Sequence, residues 1–483
     1  MVISQRIGPS ALGGLLPPAP AWPAPKYQAL ADEIVSLLFD GRIAPNTALP
    51  SERELATQLG VSRSTTTAAY RSLGERGVLV SRRGSGSVLR LPAGAQVAGL
   101  GARRVRPELD VIDLSVAAIP ADGAALDLAA EVCRRLPDFV GSIGYHPYGL
   151  PELRDVVAHR YAERDVPTSP EQILITNGAQ HGLDLVLRSM LGPGERVLTE
   201  LPCYPGALDA IAAAGGRPVA VPGQPDGQWD TAALAATLRQ SAPRFAFLIP
   251  DFNNPSGALI DTDQRIAALS AARRAGTAVI VDESFLELDL REDGAPMPAA
   301  CAGLDESVIS LGSLSKAVWG GIRVGWIRAG ADLISQLAVV RARSDLSGSV
   351  LDQLAAIEFL RAPQASLAGR RALLREGRDV LLAALAEHLP QWQPTRPDGG
   401  LFTWVRLDEP GSTALTRRAE ELGLLLAPGS RFANGARLDR HLRLPFTLPP
   451  EVLRTAVARL ATAWAQRSDE PARARKDTAL LAL

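Results

Sequence analysis

Apolar positions in the first ninety residues follow helical spacing and then a short hairpin pattern. Apolar residues at every third or fourth position predict the first helix. Ser51 followed by Glu54 forms a capping box, which predicts the start of a second helix. Two short apolar runs around a glycine-containing turn predict a β-hairpin. The predicted elements are helices Tyr27–Phe39 and Glu52–Leu59, a third helix from its cap Ser62 to about Arg76, and strands Val78–Val80 and Val88–Leu89.

Apolar runs alternate with helical segments from Asp110 onward. This alternation is typical of an α/β domain with a mostly parallel sheet and helices on both faces. In such a sheet, functional residues gather at the carboxyl ends of the strands, where the backbone turns into helices. The predicted strands are Ile173–Thr176, Arg196–Glu200, Phe245–Pro250, Ala278–Asp282 and Val308–Leu311.

Composition divides the chain into segments. The opening residues are rich in Pro, Ala and Gly, and a second stretch rich in Pro and Arg has the character of a linker. The predicted segments are a flexible N-terminal segment (1–25), a winged-helix domain or head (26–90), a linker (91–109), an α/β domain or body (110–465) and a flexible tail (466–483).

Charge is unevenly distributed along the 483 residues. The net formal charge of −1 conceals a stretch at 26–106 that carries +6 and a remainder after residue 106 that carries −8. A basic module before an acidic one suggests a head that faces nucleic acid on a body of metabolic type. A chance excess of arginines explains the charge equally well, so other features must decide.

Several classes of protein are disfavoured by composition. Three widely spaced cysteines argue against a disulfide scaffold and a Cys-rich zinc site, so no metal site is predicted. Apolar runs are too short for a transmembrane helix, and glycines and prolines interrupt any secretory signal. We therefore expect a cytoplasmic protein.

The predicted helix-turn-helix implies a DNA-contacting surface. The N-terminal residues of its second helix enter the major groove, and short polar side chains there can contact base edges. Arginines on a hairpin suit phosphates or a narrow minor groove. The alternative is that such three-helix modules also serve as protein-interaction domains. The predicted DNA contacts are Arg53, Arg63, Ser64, Thr65, Thr66, Arg82, Arg83 and Gly84.

The head resembles the winged-helix domain of the GntR regulator family over about Tyr27 to Leu89. The segments that carry the resemblance are Leu49-Pro50-Ser51-Glu52-Arg53-Glu54-Leu55-Ala56 and Leu59-Gly60-Val61-Ser62-Arg63-Ser64-Thr65. The resemblance implies DNA contacts by Arg53, by Arg63 and by the glycine-containing β-hairpin, which is called the wing in this family. Some family members carry a further arginine one turn after Arg63, where this chain has Thr67.

Polar groups follow the predicted strands of the body. Gly178-Ala179-Gln180 lies where a strand turns into a helix, and the free amides of a helix N-terminus suit a phosphate. Asp282 ends an apolar strand, where an unpaired carboxylate is costly to bury. Its side chain either caps the next segment or pairs with a cationic ligand atom.

Lysine is rare in this chain, which has Lys26, Lys316 and Lys476 only. Lys316 is the single lysine of the predicted body, and its neighbours are Ser, Gly and aliphatic residues. A desolvated amine with a lowered pKa is what imine chemistry requires. Arg323, seven residues later, can add positive charge to a phosphate site.

Together these segments resemble the fold type I pyridoxal-phosphate enzymes of aminotransferase class I, over about Val111 to Trp464. The resemblance implies an α/β domain with a smaller C-terminal α+β subdomain. It implies that Lys316 carries the cofactor as an imine, that Asp282 pairs with the pyridinium nitrogen and that Asn254 contacts the ring O3′. It further assigns Tyr204 to stacking on the ring, Arg443 to a substrate carboxylate, and the phosphate to Gly178, Ala179, Gln180, Ser313, Arg323 and, from the neighbouring subunit, Tyr145.

One position departs from the family pattern. Many class I aminotransferases have Tyr three residues after the aspartate, and this chain has Phe285. The substitution removes a hydroxyl that would donate to O3′. It puts efficient turnover in question and leaves cofactor binding untouched.

A GntR-type head joined to an aminotransferase-like body matches the MocR subgroup of GntR regulators. The leading hypothesis is a multidomain, homodimeric transcription regulator that binds a double-stranded DNA operator, uses pyridoxal 5′-phosphate, and senses a small amino compound or the cofactor itself. The alternatives are an active aminotransferase with a tethering or vestigial head, and a cofactor-binding scaffold for other proteins.

Overall fold

The computed structural model describes residues 6–16, 19, 22, 25–39, 43–82, 86–91, 110–121, 123–224, 226–361, 363–433 and 438–468. The helices are α1 (Pro9–Leu15), α2 (Lys26–Phe39), α3 (Glu52–Leu59), α4 (Arg63–Glu75), α5 (Gly123–Arg135), α6 (Pro151–Ala162), α7 (Ala179–Met190), α8 (Pro205–Ala213), α9 (Thr231–Ser241), α10 (Thr262–Ala275), α11 (Cys301–Leu304), α12 (Ala331–Arg341), α13 (Val350–Arg361), α14 (Pro363–His388), α15 (Ser412–Glu421) and α16 (Pro450–Ala465). The strands are β1 (Leu79–Arg82), β2 (Gly86–Leu89), β3 (Ile112–Asp113), β4 (Ile173–Thr176), β5 (Arg196–Leu201), β6 (Arg217–Pro222), β7 (Phe245–Leu248), β8 (Ala278–Asp282), β9 (Ile309–Ser313), β10 (Gly325–Arg328), β11 (Gln393–Pro394), β12 (Phe402–Arg406), β13 (Leu424–Leu425), β14 (Ala427–Pro428) and β15 (His441–Pro445).

The chain divides into two compact units. One is Met1–Asp113 with Gly411–Arg440, and the other is Leu114–Pro410 with His441–Leu483. The first unit thus combines the predicted head with a segment that we had assigned to the body. Within this unit β13 pairs in parallel with β3, so that Leu424 lies opposite Ile112.

The helices and hairpin predicted for the head are confirmed. Ser51 and Glu54 form a reciprocal capping box at the start of α3, and the Ser62 side chain accepts a hydrogen bond from the Thr65 amide at the start of α4. β1 and β2 are antiparallel, with Leu79 opposite Leu89. Leu30 and Ile34 of α2 are fully buried in the head core.

The N-terminal segment differs from its prediction as a loose stretch. Its described residues include helix α1, and the backbone of Arg6 bridges Ala48. Leu12 is fully buried and Trp22 is 5% exposed, and both belong to the same hydrophobic core as α2. Burial of these two apolar side chains in the head core stabilises the described residues of this segment.

The second unit is built around a seven-stranded sheet in the order β4-β10-β9-β8-β7-β5-β6. Neighbouring strands from β9 to β6 are parallel, whereas β10 is antiparallel to both β4 and β9. Alternate residues of β7 enter two different cores, with Phe245 and Phe247 on one side and Ala246 and Leu248 on the other. Apolar helices therefore cover both faces of the sheet, as predicted.

Two strands of this sheet were not predicted. β6 begins Arg217-Pro218 and ends with Pro222. The two prolines are tolerated because β6 lies at the sheet edge, where a missing amide donor is harmless. β10 begins with Gly325 and ends with Arg328, so it lacks the continuous apolar run by which the other short strands were recognised.

A small antiparallel sheet follows in the second unit. β12 pairs with β15, and Trp404 lies opposite Arg443 in that register. β11 pairs with the far end of β12. This pairing brings Arg443 of β15 to the place described below. No helix among the described residues is long and apolar enough to cross a membrane.

Candidate functional site

The predicted cofactor residues come from separate segments of the second unit. Asp282 ends β8 and Ser313 ends β9, and these strands are parallel neighbours. Their carboxyl ends therefore lie side by side, and the loops that follow carry Lys316 and the other candidates.

The Lys316 amine is held by a backbone carbonyl. Its Nζ donates a hydrogen bond to the carbonyl oxygen of Ala117 over 2.9 Å. Burial lowers the pKa of Lys316 to about 8, helped by the positive charge of Arg443 and opposed by the negative charge of Asp282. A larger share of this amine is therefore neutral near physiological pH than for a surface lysine, which agrees with the amine that imine chemistry requires.

The Asp282 carboxylate is 8% exposed. One of its oxygens accepts a hydrogen bond from the Ser284 amide over 2.9 Å, so it also caps the following turn. Burial raises the pKa of Asp282, while the hydrogen bonds from Ser284 and the charge of Lys316 oppose that rise. The local cap left open by the sequence is therefore observed, and the pairing of Asp282 with a cationic ligand atom stays a prediction.

Arg443 is a buried guanidinium, 7% exposed, that contacts three elements. Its Nη2 donates to the carbonyl oxygen of Ser115 over 2.6 Å, and its Nη1 lies 3.5 Å from Oδ1 of Asn254. The guanidinium also lies over the ring of Phe402 at 5.5 Å from the centroid. The structure thus brings the predicted carboxylate clamp together with Asn254.

The predicted phosphate residues converge around Arg323. Gly178 has a φ of +99°, and a Cβ added there would lie 3.1 Å from the Arg323 guanidinium. Arg323 donates hydrogen bonds to the carbonyl oxygen of Asn177 over 2.7 Å and to the Ser315 hydroxyl over 3.1 Å. Ser313 contacts the same Ser315 hydroxyl at 3.2 Å. Glycine is favoured at this position because an L side chain rarely adopts such a φ, and a Cβ would also crowd the guanidinium.

The helix after Gly178 completes this region. Ala179 is the first residue of α7, so its amide belongs to the first turn of the helix, as predicted. The residue is 8% exposed. The Gln180 side chain is exposed and donates to the carbonyl oxygen of Gly206 over 2.9 Å. Amides of a helix start beside Arg323 make a site suited to an anion.

Tyr204 adjoins the same groups. Burial, and then the charge of Asp282, raise the pKa of Tyr204 to about 12. A Cβ on Gly206 would lie 2.6 Å from the Tyr204 hydroxyl, so glycine makes room for this ring. The ring packs at the edge of the core that contains Cys203 and Ala207.

Two further residues stand apart from this cluster. Tyr145, assigned by resemblance to the neighbouring subunit's site, is 59% exposed, and its role there stays a prediction. Phe285 is buried, and its ring meets that of Phe402 edge-on at 5.4 Å. A tyrosine hydroxyl at position 285 would have to be accommodated beside this aromatic pair.

Several polar groups at the site were missed by sequence reasoning. Ser115 and Ala117 act through backbone carbonyls, which no side-chain pattern reveals. Ser315 lies between Ser313 and Arg323. Glu200 lies one residue before the end of β5, and the partners that give it a role come from distant segments of the chain.

The DNA-contacting residues predicted in the head divide by exposure. Arg53, Arg63 and Ser64 are exposed. Thr65 is partly buried, and its hydroxyl pairs with that of Ser62 at 2.8 Å. Exposed arginines at the start of α3 and α4 remain available for phosphates or bases.

Thr66 corrects the prediction. It is fully buried, and its hydroxyl donates to the carbonyl oxygens of Glu52 at 3.0 Å and Arg63 at 2.9 Å. Thr66 therefore joins α3 to α4 and does not face a base. Its helical spacing with Ala69, Tyr70 and Leu73, which are all buried, is the signal that would have placed it in the core.

The wing is described only in part. Arg82 ends β1, opposite Gly86 of β2. Arg83 and Gly84, also predicted to contact DNA, lie outside the described residues.

Comparison with known families matches both halves of the chain. Residues 110–460 match the family described as aminotransferase class I and II. Residues 26–89 match the family described as bacterial regulatory proteins, gntR family.

Similar proteins combine the same parts or contain the body alone. A 2-aminoadipate transaminase from Thermus thermophilus is 35% identical, covering 69% of this chain and 85% of its own. The probable rhizopine catabolism regulatory protein MocR from Rhizobium meliloti is 30% identical, covering 84% of this chain and 87% of its own. The crystal structure of an alpha-aminoadipate aminotransferase from Thermus thermophilus, complexed with N-(5′-phosphopyridoxyl)-L-leucine, has a TM-score of 0.67 and 32% identity over 73% of this chain and 92% of that one. The chain belongs to the aminotransferase class I and II family and, with its gntR-type head, to the MocR subfamily of GntR transcriptional regulators.

Proposed function

We propose that this protein is a DNA-binding transcription regulator whose body binds pyridoxal 5′-phosphate and responds to a small amino compound or to the cofactor itself. The observation that carries the proposal is the Lys316 amine, of lowered pKa, beside the charges of Asp282 and Arg443 in a chain that also has a winged-helix head. A homodimer on an operator with paired half-sites fits both halves.

The residues present fit pyridoxal phosphate. The cofactor supplies an aldehyde that bonds reversibly to amines and a ring that withdraws electrons. An anion cradle at Gly178 and Arg323, a buried carboxylate at Asp282 and a desolvated amine at Lys316 match its phosphate, its ring nitrogen and its aldehyde in turn.

Each side chain then has a distinct task. Lys316 would attach the cofactor, Asp282 would hold a proton on the ring nitrogen and Asn254 would orient the ring hydroxyl. Arg443 would bind a carboxylate of the sensed compound in bidentate fashion. The remaining assignments are stacking by Tyr204 and phosphate contacts by Gly178, Ala179, Gln180, Ser313, Arg323 and the neighbouring subunit's Tyr145.

Residues 115–117 are the part of the chain that a bound compound would affect first. The carbonyl oxygens of Ser115 and Ala117 accept hydrogen bonds from Arg443 and Lys316. A compound that binds Arg443 through its carboxylate would compete with the Ser115 carbonyl for that guanidinium.

The test uses the full chain purified with and without the cofactor. Wild type is expected to form a yellow chromophore that Lys316→Ala abolishes, and amines are then screened for a spectral shift. DNA binding is measured by electrophoretic mobility shift on the DNA upstream of the protein's own gene and of neighbouring genes. If Lys316→Ala binds this DNA and responds to each amine as wild type does, the sensing role is wrong.

An active aminotransferase is the second candidate. Lys316, Asp282 and Arg443 are all in place, and the 35% identical relative is a transaminase. Phe285 opposes this function, because no hydroxyl is available there. Single- and multiple-turnover assays with amino acids and an oxo acid distinguish the two: sustained turnover at ordinary enzymatic rates favours the enzyme.

A further inference from the structure

Glu200 is a carboxylate outside the predicted cofactor contacts, at the carboxyl end of β5. It lies among protein donors and borders a cavity that is also lined by Trp229, Asn253 and Ser256. Burial and the nearby charge of Asp282 raise the pKa of Glu200, and three hydrogen bonds from protein donors oppose that rise by favouring the carboxylate. A carboxyl group in so costly a position calls for a structural or functional reason.

Both carboxylate oxygens of Glu200 are used. One accepts from the Trp229 indole nitrogen. The other accepts from the backbone amide of Ile249 over 3.0 Å and from Nδ2 of Asn253 over 2.8 Å. Glu200 thus links β5 to the chain that leaves β7.

Asn253 connects Glu200 to the turn that follows it in the chain. Its Oδ1 accepts from the amide of Ser256 over 3.2 Å and from the Ser256 hydroxyl over 3.0 Å. Its backbone amide donates to the carbonyl oxygen of Ala258 over 2.9 Å. With both ends of its side chain engaged, Asn253 holds the backbone from 253 to 258 in one conformation.

Asn254 is the next residue in that turn, is 5% exposed and lies 3.5 Å from Arg443. The direction of the Asn254 side chain depends on the conformation of the backbone from 253 to 258, which the hydrogen bonds of Asn253 stabilise. We propose that Glu200 is a positioning residue that, through Asn253, aims Asn254 at the cofactor ring and toward Arg443. This inference rests on the proposed cofactor site and adds a residue to it.

The experiment compares variants of the full chain. Glu200→Gln keeps the shape of the side chain but replaces one of its two acceptor oxygens with an NH₂ group, which cannot accept a hydrogen bond from the donors that Glu200 faces. Asn253→Ala breaks the same link from the other end and leaves Glu200 intact, and Asn254→Ala removes the group that is positioned. Glu195→Gln is the matched control, because Glu195 is exposed and precedes the same strand.

Two readouts are measured on each variant after cofactor removal. They are the Kd for pyridoxal 5′-phosphate and the midpoint of the pH titration of the bound chromophore, with thermal unfolding recorded alongside. Glu200→Gln and Asn253→Ala are each expected to weaken binding about tenfold, as befits the loss of a hydrogen bond to a charged group. Both should move the chromophore midpoint in the direction that Asn254→Ala moves it, and Glu195→Gln should change neither quantity.

The outcomes separate this inference from the proposed function. If wild type forms no chromophore that depends on Lys316, the proposed cofactor site is wrong and this inference falls with it. If wild type forms it, and Asn253→Ala and Glu200→Gln both keep the wild-type Kd and midpoint while Asn254→Ala changes them, only the positioning role is overturned. A lower melting temperature without a midpoint shift also overturns it, since that pattern marks a purely structural residue. Should Glu200→Gln not fold, Asn253→Ala decides alone.

Discussion

The head and the body place their functional side chains in opposite surroundings. Arg53 and Arg63 of the head are exposed and ten residues apart. In the body, Lys316 and Arg443 come from distant segments and are held by backbone carbonyls. An exposed arginine keeps its hydration and is screened by salt, whereas a charge withdrawn from water must find partners or shift its pKa. Substitution of the exposed arginines in the head should therefore change DNA affinity, and substitution of the buried charges in the body should change folding and proton binding.

The largest effect is expected at a buried ion pair of the body. Arg265 and Asp251 are each 1% exposed, and Nη2 of Arg265 lies 2.7 Å from the carboxylate. Arg265→Ala should lower the free energy of unfolding by about 3–5 kcal/mol, because Asp251 stays buried without its partner. Guanidinium unfolding followed by tryptophan fluorescence measures the loss.

The control for this change lies on the same helix. Arg273 of α10 pairs with Asp305 at 3.3 Å but is 67% exposed. Arg273→Ala should cost less than about 1 kcal/mol. Equal losses of unfolding free energy in the two variants would show that burial does not decide how much these ion pairs contribute to stability.

The second prediction concerns the pH dependence of cofactor attachment. The pKa of Lys316 is lowered to about 8, and only the neutral amine attacks the aldehyde. The rate of chromophore formation in the cofactor-free protein should therefore rise with pH through a midpoint of about 8 and level off only well above that midpoint. Stopped-flow absorbance across this range gives the midpoint.

Charge substitutions test the origin of that midpoint. Arg443→Gln removes a positive charge that lowers the pKa of Lys316, so the midpoint should move up. Asp282→Asn removes a negative charge that raises it, so the midpoint should move down. Shifts of the same sign in both variants would contradict the electrostatic explanation.

A third prediction separates two residues of one helix. Thr66→Val should lower the free energy of unfolding of the head by about 1–2 kcal/mol, because the buried carbonyl of Glu52 loses its hydroxyl donor. Arg63→Ala should leave stability within about 0.5 kcal/mol. It should weaken binding to a random-sequence duplex and reduce the slope of log K against log salt by about one.

Fluorescence anisotropy at several salt concentrations provides this measurement. Thr66→Val should keep the wild-type salt slope at a temperature where it is folded. If Thr66→Val lowers the slope and Arg63→Ala does not, the corrected assignment of these two residues is itself wrong.

The smallest effect is expected at the start of α3. Ser51→Ala removes the cap hydroxyl that accepts from the Glu54 amide over 3.3 Å, and should cost about 1 kcal/mol of head stability. Thr57→Ala on the same helix removes an exposed hydroxyl that contacts the carbonyl of Arg53, and should cost less. Thermal unfolding followed by circular dichroism ranks the two, and the reverse order would exclude the capping explanation.

Local patterns predicted most of the elements. Glu52–Leu59, Ile173–Thr176 and Ala278–Asp282 have the bounds that spacing and caps indicated. These signals succeed because a cap acts on its own helix and a buried strand is a continuous apolar run. In the seven-stranded sheet, β6 and β10 were missed, since an edge strand with prolines and a strand that reads Gly-Trp-Ile-Arg contain no continuous apolar run.

Residues of the candidate site were predictable to a different extent. Lys316, Asp282 and Asn254 were recognisable because unusual residue types stand in motifs at strand ends. Glu200 and the carbonyls of Ser115 and Ala117 were not, because their importance comes from partners far away in the chain. Thr66 was misassigned because exposure was inferred from polarity alone.

The sequence by itself determined the helix-turn-helix with its caps, the alternation that builds a mostly parallel sheet, and the single body lysine. These features depend on neighbours within a few positions, so residue order is enough to specify them. Only the tertiary structure decided that Leu12 and Trp22 pack into the head core, that Thr66 points inward, and that two backbone carbonyls hold Lys316 and Arg443. Burial and hydrogen-bond partners at long range depend on which surfaces meet, and that is settled when the chain folds.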